Sequence, residues 1–440
     1  MITRIEAYRY RCFEKLSLDL DSFQVFVGPN GAGKTTLLDI PILLGEMLSA
    51  RSIDSAFLGQ TSSHFRPRAD SAGELIFNQQ GETFFLVLEA KLPERITADL
   101  LEKRAARLSS KAADALRNAP HRWLTGIRYE IQFELFNEAL QIAQEYLFLL
   151  PEAERRTSGS SEDLMGEWFS PKQRQIVPVL LRPRGGRVRF FPEAEARGSR
   201  NEYGFPPTEP AFANVFADDS RYGASLWLRD LLTHQACAYE PDHFQMRNAQ
   251  PRIQNPAVAR NGATLPWLAH QLSPEPKKHP TPKFDRWQRM VRLALPGLDR
   301  IEAVVRPDDM HAYLRLHFRN GAVIPASGLS DGSLSILALT ILPFLPTVPS
   351  LLTCEQPEDG VHPKGIEVVL EALRSLRNCQ VFVSSHSPLV LAQCEPQQII
   401  CLGMAENGAA IATRGEQHPA LKEWQGTLDL GTLFASGVLG

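Results

Sequence analysis

One octapeptide organises this 440-residue chain, and it reads Gly28-Pro29-Asn30-Gly31-Ala32-Gly33-Lys34-Thr35. It follows an apolar run at 23–27, which predicts a buried strand, and it precedes residues 36–40, which open a predicted helix. Glycines in such a loop let backbone N–H groups converge on phosphates, and the helix N-terminus adds a favourable dipole. The pattern and its context therefore predict a site for a nucleoside triphosphate.

The residue types in this loop have separate expected roles. Lys34 would reach the β- and γ-phosphates, and the hydroxyl of Thr35 would hold Mg²⁺. ATP and Mg²⁺ are thus the expected cofactors. The other residues of this segment expected to bind the nucleotide are Gly28, Asn30, Gly31, Gly33 and Thr36.

Composition and charge are those of an ordinary globular chain. Hydrophobic residues make up 43% and charged residues 22%, with a formal net charge of -3, which argues against a wholly basic nucleic-acid coat protein. Six cysteines lack a CxxC pair or metal-ligand spacing, which predicts buried, reduced thiols. The N-terminus lacks the pattern of a signal peptide, and the apolar run at 336–344 is too short to span a bilayer. We therefore expect a cytoplasmic protein with no membrane contact.

The order of strand-like and helix-like segments divides the chain into three predicted parts. Residues 1–90 would form an N-terminal ATPase lobe with the phosphate loop, and 284–440 a C-terminal α/β lobe of parallel strands. Residues 91–283 would form an insertion of extra strands, helices and loops. Within these parts, we expect strands at 74–78 and 83–88 and a single amphipathic helix at 97–117.

Three further segments carry charged or polar residues at places where predicted elements begin or end. The first, Leu329-Ser330-Asp331-Gly332-Ser333, precedes a predicted helix. In the second, an apolar strand at 349–354 ends in Glu355-Gln356-Pro357-Glu358-Asp359-Gly360-Val361-His362-Pro363. The third is a buried strand at 381–385 that leads into His386. Taken singly, the first segment is also typical of a helix cap, Glu355 of a surface charge after a core strand, and His386 of a helix cap at the end of a strand.

Together and in this order, these elements resemble the ABC-type ATPases of the SMC, RecF and OLD-like branch. The resemblance is close to the stand-alone AAA-family ATPases of bacterial operons, which are often associated with phage defence. It is specific over about 1–90 and 284–440. It implies an α/β fold of the ABC-type head, with a mixed N-terminal lobe, a C-terminal α/β lobe and an inserted irregular and helical region.

The resemblance also implies a mechanism in which two heads pair head to tail, although higher oligomers remain open. Each ATP would lie between the phosphate loop of one head and Ser330 and Gly332 of the other. Glu355 would order Mg²⁺ through water, His386 would sense the γ-phosphate, and Asp359 would lie in the loop that links the two sites.

Two further assignments rest on position alone. Arg11 matches the place of an N-terminal arginine that touches the nucleotide in related heads. Gln60 is a candidate for the glutamine loop only because it follows the first predicted helix.

Gln356 occupies the position at which the family carries a glutamate that polarises the attacking water. An amide cannot accept a proton as a carboxylate does, so general-base help of about 10²–10⁴-fold would be missing while ATP binding is spared. Two explanations remain open. In the first, Gln356 is an engineered Glu→Gln change that traps the ATP-bound dimer. In the second, the natural protein is a slow switch in which bound ATP holds the structure together.

The leading functional prediction is an ATPase homodimer whose closure on ATP controls an effector protein encoded nearby, in bacterial anti-phage defence. The alternatives are an ATP-locked scaffold, a RecF-like repair or recombination ATPase, and the ATPase subunit of a membrane transporter. The long insertion and the LSDGS form of the signature speak against a transporter. Basic clusters, including Arg182, Arg184, Arg187 and Arg189, suggest nucleic-acid contact or simply solvated faces.

Overall fold

The computed structural model describes residues 1–59, 67–152, 176–195, 201–273, 281–422 and 429–437. Gln60 and the basic residues Lys277 and Lys278 lie outside this part of the chain. The chain divides into two compact units. The first comprises Met1–Asp21, Asp39–Gln235 and Met404–Ala412, and the second comprises Ser22–Leu38, Ala236–Gly403 and Thr413–Gly440.

The strands are numbered in chain order, as follows: β1 Ile2–Tyr10, β2 Phe13–Asp19, β3 Phe23–Val27, β4 Thr83–Lys91, β5 Leu124–Phe136, β6 Ala139–Pro151, β7 Val177–Arg182, β8 Val188–Phe190, β9 Glu202–Tyr203, β10 Ala236–Ala238, β11 Leu298–Val305, β12 Ala312–Phe318, β13 Val323–Pro325, β14 Leu351–Glu355, β15 Gln380–Ser385, β16 Ile399–Met404 and β17 Ala410–Arg414.

The α-helices are numbered in the same way: α1 Lys34–Ala50, α2 Ile53–Leu58, α3 Glu94–Ala105, α4 Ser110–Arg117, α5 Asp219–Thr233, α6 His243–Arg247, α7 Leu265–Leu272, α8 Pro282–Ala294, α9 Asp331–Thr340, α10 Pro363–Arg374, α11 Pro388–Leu391, α12 Pro419–Lys422 and α13 Leu430–Ala435. None of these described helices combines the length and apolar character needed to cross a bilayer.

The first unit is built on an antiparallel sheet whose strand order is β2-β1-β4-β5-β6-β7-β8-β9. On β5, Tyr129 and Ile131 alternate with Arg128 and Glu130, and all four side chains are buried. Residues of opposite parity on a strand face opposite sides of a sheet, so a buried polar row lies opposite an apolar face. The alternation of polar and apolar residues at 128–135 predicts a half-exposed strand, and the structure instead buries side chains on both of its faces.

The polar row contains one arginine surrounded by carboxylates. Arg128 donates hydrogen bonds to Glu6 at 2.9 Å, to Glu89 at 2.5 Å and to Glu130. Burial raises the pKa of Glu130, while the Arg128 guanidinium opposes that shift. Buried charges of this kind are tolerated only when they are paired and hydrogen-bonded, so the row depends on Arg128.

A six-stranded sheet has the order β10-β14-β15-β3-β16-β17, and its strands β10, β14, β15, β3 and β16 run parallel. These parallel strands belong to the second unit, apart from the last residue of β16. A smaller antiparallel sheet of order β11-β12-β13 belongs to the same unit. The central parallel strands are almost continuously apolar, as expected where both faces are buried. The α/β class expected from the sequence is confirmed, and the carboxyl ends of β14, β15 and β3 lie side by side at one edge.

Two local predictions were wrong. Residues 74–78 do not form a strand, because short 3₁₀ turns occupy Ala72–Leu75 and Phe77–Gln79. Asn78 has a φ of 52°, a left-handed conformation that a strand cannot contain. Residues 97–117 form parts of α3 and α4 instead of a single helix, with a break at 106–109.

Candidate nucleotide-binding site

The phosphate loop joins β3 to α1 and takes backbone conformations that glycine adopts readily. Gly28, Gly31 and Gly33 have φ values of 149°, 82° and 89°. At Gly28, a Cβ would lie 2.2 Å from the carbonyl oxygen of Leu402 in β16, so a larger residue cannot fit. The helix then begins at Lys34, and its first-turn N–H groups have no partners within the helix. The loop therefore has the form of an anion cradle.

Lys34 brings a buried cation into this cradle. Its Nζ donates to the carbonyl oxygens of Gly28 at 2.9 Å and of Pro29 at 2.8 Å. Burial lowers the pKa of Lys34, and the nearby carboxylate of Glu355 opposes that shift. Within the described part of the chain, the hydrogen bonds of this ammonium go to two neutral carbonyls and none goes to a carboxylate, which suits it to a phosphate.

The two side chains expected at Mg²⁺ lie together. The Thr35 hydroxyl donates to Oε2 of Glu355 at 3.0 Å, although 320 positions separate them in sequence. Glu355 reaches this place because it is the last residue of β14, beside Ser384 of β15. Among the described residues, no group of three or more His, Cys, Asp or Glu could hold a metal alone. A hydroxyl and one carboxylate nevertheless fit Mg²⁺, which usually takes few protein ligands and completes its shell with phosphates and water.

Gln356 directly follows Glu355 and begins a tight turn. Its φ is 45°, which is unusual for a residue other than glycine, and such conformations concentrate at functional sites. Its N–H donates to the carbonyl oxygen of Ser384 at 2.9 Å, and its own carbonyl accepts from the N–H of Asp359 at 3.0 Å. The strained turn fixes the direction in which the chain leaves β14.

His386 follows β15 at the same edge of the sheet. Its pKa is lowered mainly by burial and further by the charge of Lys34, while Asp359 opposes the shift. The imidazole is therefore neutral near pH 7 and can donate one hydrogen bond.

Glu358 was not singled out from the sequence, yet it links the loops after β14 and β15. Its Oε1 accepts from the hydroxyl of Ser385 at 2.6 Å and from the N–H of His386 at 3.2 Å. Its Oε2 is buried and has no hydrogen-bond partner among the described residues. Burial raises the pKa of Glu358. The sequence gives no signal for this role, because a glutamate in a loop usually faces solvent.

The signature segment forms the N-terminus of α9. Ser330 is the cap residue, and its Oγ accepts from the N–H of Ser333 at 3.3 Å. A Cβ placed on Gly332 would lie 2.1 Å from the carbonyl oxygen of Gly360. The signature therefore packs directly against the loop that contains Asp359.

A second missed residue, Arg247 of α6, holds the signature from the other side. Its guanidinium donates to Oδ1 of Asp331 at 2.5 Å and to the carbonyl oxygen of Leu329 at 3.0 Å. This bond, with help from His243, lowers the pKa of Asp331. No local pattern relates residues that are 84 positions apart, so the sequence could not reveal the pair.

The structure thus gathers most of the predicted site residues in the second unit. The phosphate loop, Thr36 on α1, Glu355, Gln356 and His386 follow strands at one sheet edge, and Asp359 lies with the signature. Arg11 belongs to the first unit, where it has a φ of 52° and its N–H donates to the carbonyl oxygen of Leu75 at 2.8 Å.

Two arginines of the basic cluster that was considered for nucleic-acid contact already bond other groups of the protein. Arg182 is buried and donates to the carbonyl oxygens of Glu209 and Pro206 at 2.8 and 2.9 Å. Arg184 bonds the carboxylate of Glu134. These two side chains are therefore poor candidates for contacts with phosphates.

Comparison with known proteins gives one family and two local sequence matches. The model of the family "AAA domain, putative AbiEii toxin, Type IV TA system" matches residues 192–392, which include Ser330, Glu355 and His386. The chromosome partition protein Smc of Methanocaldococcus jannaschii is 35% identical over 86 residues, 19% of this chain and 7% of that protein. The OLD nuclease of Thermus scotoductus is 44% identical over 48 residues, 11% of this chain and 9% of that protein. The matches thus span less than a tenth of either relative.

Solved structures similar to the chain include SMC head domains. The Smc head from Pyrococcus furiosus, bound to the C-terminal domain of ScpA, superposes with a TM-score of 0.48 at 12% identity, covering 96% of this chain and 98% of that one. The SMC head from Thermotoga maritima gives a TM-score of 0.44 at 10% identity, covering 94% and 98%.

Proposed function

We propose that this chain is an ABC-type ATPase of the branch that contains the Smc and OLD proteins, and that it binds ATP with Mg²⁺ and closes head to tail as a homodimer. The family match over residues 192–392 and the partial matches to an Smc protein and an OLD nuclease support the first part of this proposal. The observation that carries this proposal is the contact between Thr35 and Glu355 beside the glycine cradle. A hydroxyl and a carboxylate that meet next to an anion cradle have little reason to do so unless a cation and phosphates bind there.

Each residue of the site then has a role in binding. Lys34 and the N–H groups of the loop bind the phosphates, while Thr35 and Glu355 hold Mg²⁺. The bound metal ion supplies neutralisation of the phosphate charge. His386, neutral at physiological pH, donates a hydrogen bond to the γ-phosphate.

The second copy completes the site with its signature. The exposed cap residue of α9, Ser330, and the positive end of this helix face the γ-phosphate from across the interface, while the buried Gly332 lets the signature pack against the Gly360 carbonyl. Arg247 favours this role, because its bond to Asp331 offsets the negative charge of a carboxylate in the first turn of α9 that would otherwise repel a phosphate.

Ser330→Arg tests the shared site. The mass of the protein in solution is measured with and without ATP and Mg²⁺, together with the binding of a fluorescent ATP analogue. We expect assembly with nucleotide in the native chain, and loss of assembly with retained nucleotide binding in the variant. Unaltered ATP-dependent assembly of Ser330→Arg would refute the head-to-tail model.

Gln356 favours slow turnover or none, so an ATP-locked scaffold is the second candidate function. Restoring a carboxylate by Gln356→Glu separates the two. If phosphate release rises by about 10²–10⁴-fold, the chain is a hydrolase whose rate of ATP hydrolysis is limited by the missing general base. If release stays at background while ATP still drives assembly, ATP acts as a structural ligand.

We further propose that the closed dimer controls an effector protein in bacterial anti-phage defence, in the cytoplasm. The family model, whose description names a putative toxin, and the partial match to an OLD nuclease support this direction. Phage plating on cells that express the chain with its genomic neighbours tests it, with Lys34→Ala as the inactive control. A RecF-like role predicts instead ATP-dependent binding to DNA that weakens steeply with salt.

A further inference from the structure

We infer that Glu358 is a positioning residue that couples the loop carrying Asp359 to the loop carrying His386. Through Glu358, a contact between the Asp359 loop and the partner subunit would shift His386, which senses the γ-phosphate in its own subunit. This inference rests on the proposed head-to-tail dimer, and it adds a route by which one ATP site influences the other.

The contacts form a short connected path. The signature at Gly332 packs on Gly360, which directly follows Asp359. Within the same loop, the N–H of Val361 donates to the carbonyl oxygen of Glu358 at 2.9 Å. The Glu358 carboxylate then receives the Ser385 hydroxyl and the His386 N–H. A displacement of the signature is thus passed to the segment that positions the imidazole of His386.

The geometry assigns Glu358 an indirect role. Its Oε1 already accepts two hydrogen bonds, and its Oε2 is buried away from solvent, so neither oxygen faces an attacking water. The carboxylate therefore acts by holding the His386 loop, and it does not replace the missing base at Gln356.

The unpaired oxygen gives a second argument. A buried carboxylate oxygen without a donor destabilises the folded protein, because it has lost its hydration without a replacement. The Ser385 hydroxyl also accepts from the N–H of Ser387 at 3.0 Å, so Oε1 of the glutamate and this hydroxyl together hold the beginning of the loop. Buried polar atoms without a partner are uncommon in native structures, so the position of this carboxylate points to a functional constraint on the loop.

Three variants of the otherwise native chain test the coupling. Glu358→Ala removes the acceptor, Glu358→Gln keeps one acceptor of nearly the same shape, and Ser385→Ala removes the strongest donor. For each, the equilibrium binding isotherm of a fluorescent ATP analogue is measured with Mg²⁺, together with the mass in solution and a thermal melt.

We expect the Hill coefficient of ATP binding to fall from about 2 towards about 1 in Glu358→Ala, since cooperativity between two sites requires a coupling free energy. Glu358→Gln should restore most of the cooperativity, and Ser385→Ala should reduce it. A purely structural role would lower the melting temperature and leave the Hill coefficient of the folded fraction unchanged.

The outcomes separate the two proposals. If the native chain binds ATP cooperatively and folded Glu358→Ala does so equally, the coupling role is wrong while the dimer stands. If the native chain neither binds ATP nor assembles with it, the proposed function fails and the inference fails with it. Should Glu358→Ala not fold, Ser385→Ala decides, because unchanged cooperativity there also refutes the role.

Discussion

Replacing Gly332 by alanine should block assembly while sparing nucleotide binding. The new Cβ would lie 2.1 Å from the carbonyl oxygen of Gly360, 2.9 Å from its carbonyl carbon and 3.3 Å from the Cα of Val361. Carbon and carbonyl oxygen normally approach no closer than about 3.3 Å, so the signature and the loop must separate by about 1.2 Å. Both sides are backbone, so neither can move aside by changing a rotamer.

The magnitude follows from that displacement. A shift of about 1 Å in a positioned group can reduce its effect by about 10²-fold, which corresponds to about 2.7 kcal/mol. We therefore expect the ATP concentration for half-maximal assembly to rise by about 100-fold. The phosphate loop is not touched, so ATP binding by a single head should stay unchanged.

The assay is a titration of solution mass against ATP with Mg²⁺, beside a binding titration of the fluorescent analogue. Gly73→Ala is the matched control, because nothing lies within 4 Å of the added methyl group there. Assembly of Gly332→Ala at the same ATP concentration as Gly73→Ala would refute the proposed contact between the signature and the Asp359 loop.

Three further predictions concern charge. Lys34→Ala should weaken binding of the ATP analogue by about 10- to 150-fold, since a hydrogen bond to a charged group contributes about 1.5–3 kcal/mol, and unchanged affinity would contradict the cradle. Arg128→Met should lower the free energy of unfolding in urea by about 3–5 kcal/mol, because Glu6, Glu89 and Glu130 lose the guanidinium that bonds them. Burial raises the pKa of Glu130 in the folded protein above its ordinary value of 4.5, so the folded state binds its proton more tightly. The stabilisation that this raised pKa contributes is fully present below the pKa of Glu130 in the unfolded chain, and it is lost as pH rises through the pKa of Glu130 in the folded protein. In Glu130→Gln, the free energy of unfolding in urea should therefore fall less steeply with pH above pH 4.5 than it does in the native chain. An equally steep fall would contradict the raised pKa of Glu130.

The sequence was most informative where backbone chemistry leaves few choices. The phosphate-loop pattern predicted that Thr35 holds Mg²⁺, and the resemblance implied that Glu355 orders the same ion. In the structure the two side chains are in contact, because β3, β15 and β14 are neighbouring parallel strands that end at a common edge.

Side-chain partners distant in sequence could not be predicted in the same way. Arg247 lies in a five-residue helix, and Glu358 lies in a loop, so neither shows a periodic pattern. The 3₁₀ turns around Asn78 were missed for a different reason. Residues 75–77 are three consecutive apolar residues, as in a short buried strand, and only the left-handed backbone at Asn78 reveals the turn.

The strand order has a consequence for how the protein is made. β3 lies between β15 and β16, with Val25 beside both Val383 and Ile399. On the ribosome, β3 emerges long before β15 and β16, its two neighbours in the sheet. Nascent chains that still lack β15 and β16 would display an apolar strand with two unpaired edges, which favours capture by chaperones or aggregation. The cradle for ATP is thus completed only once these two strands have been synthesised, and a nascent chain without them cannot hold a nucleotide.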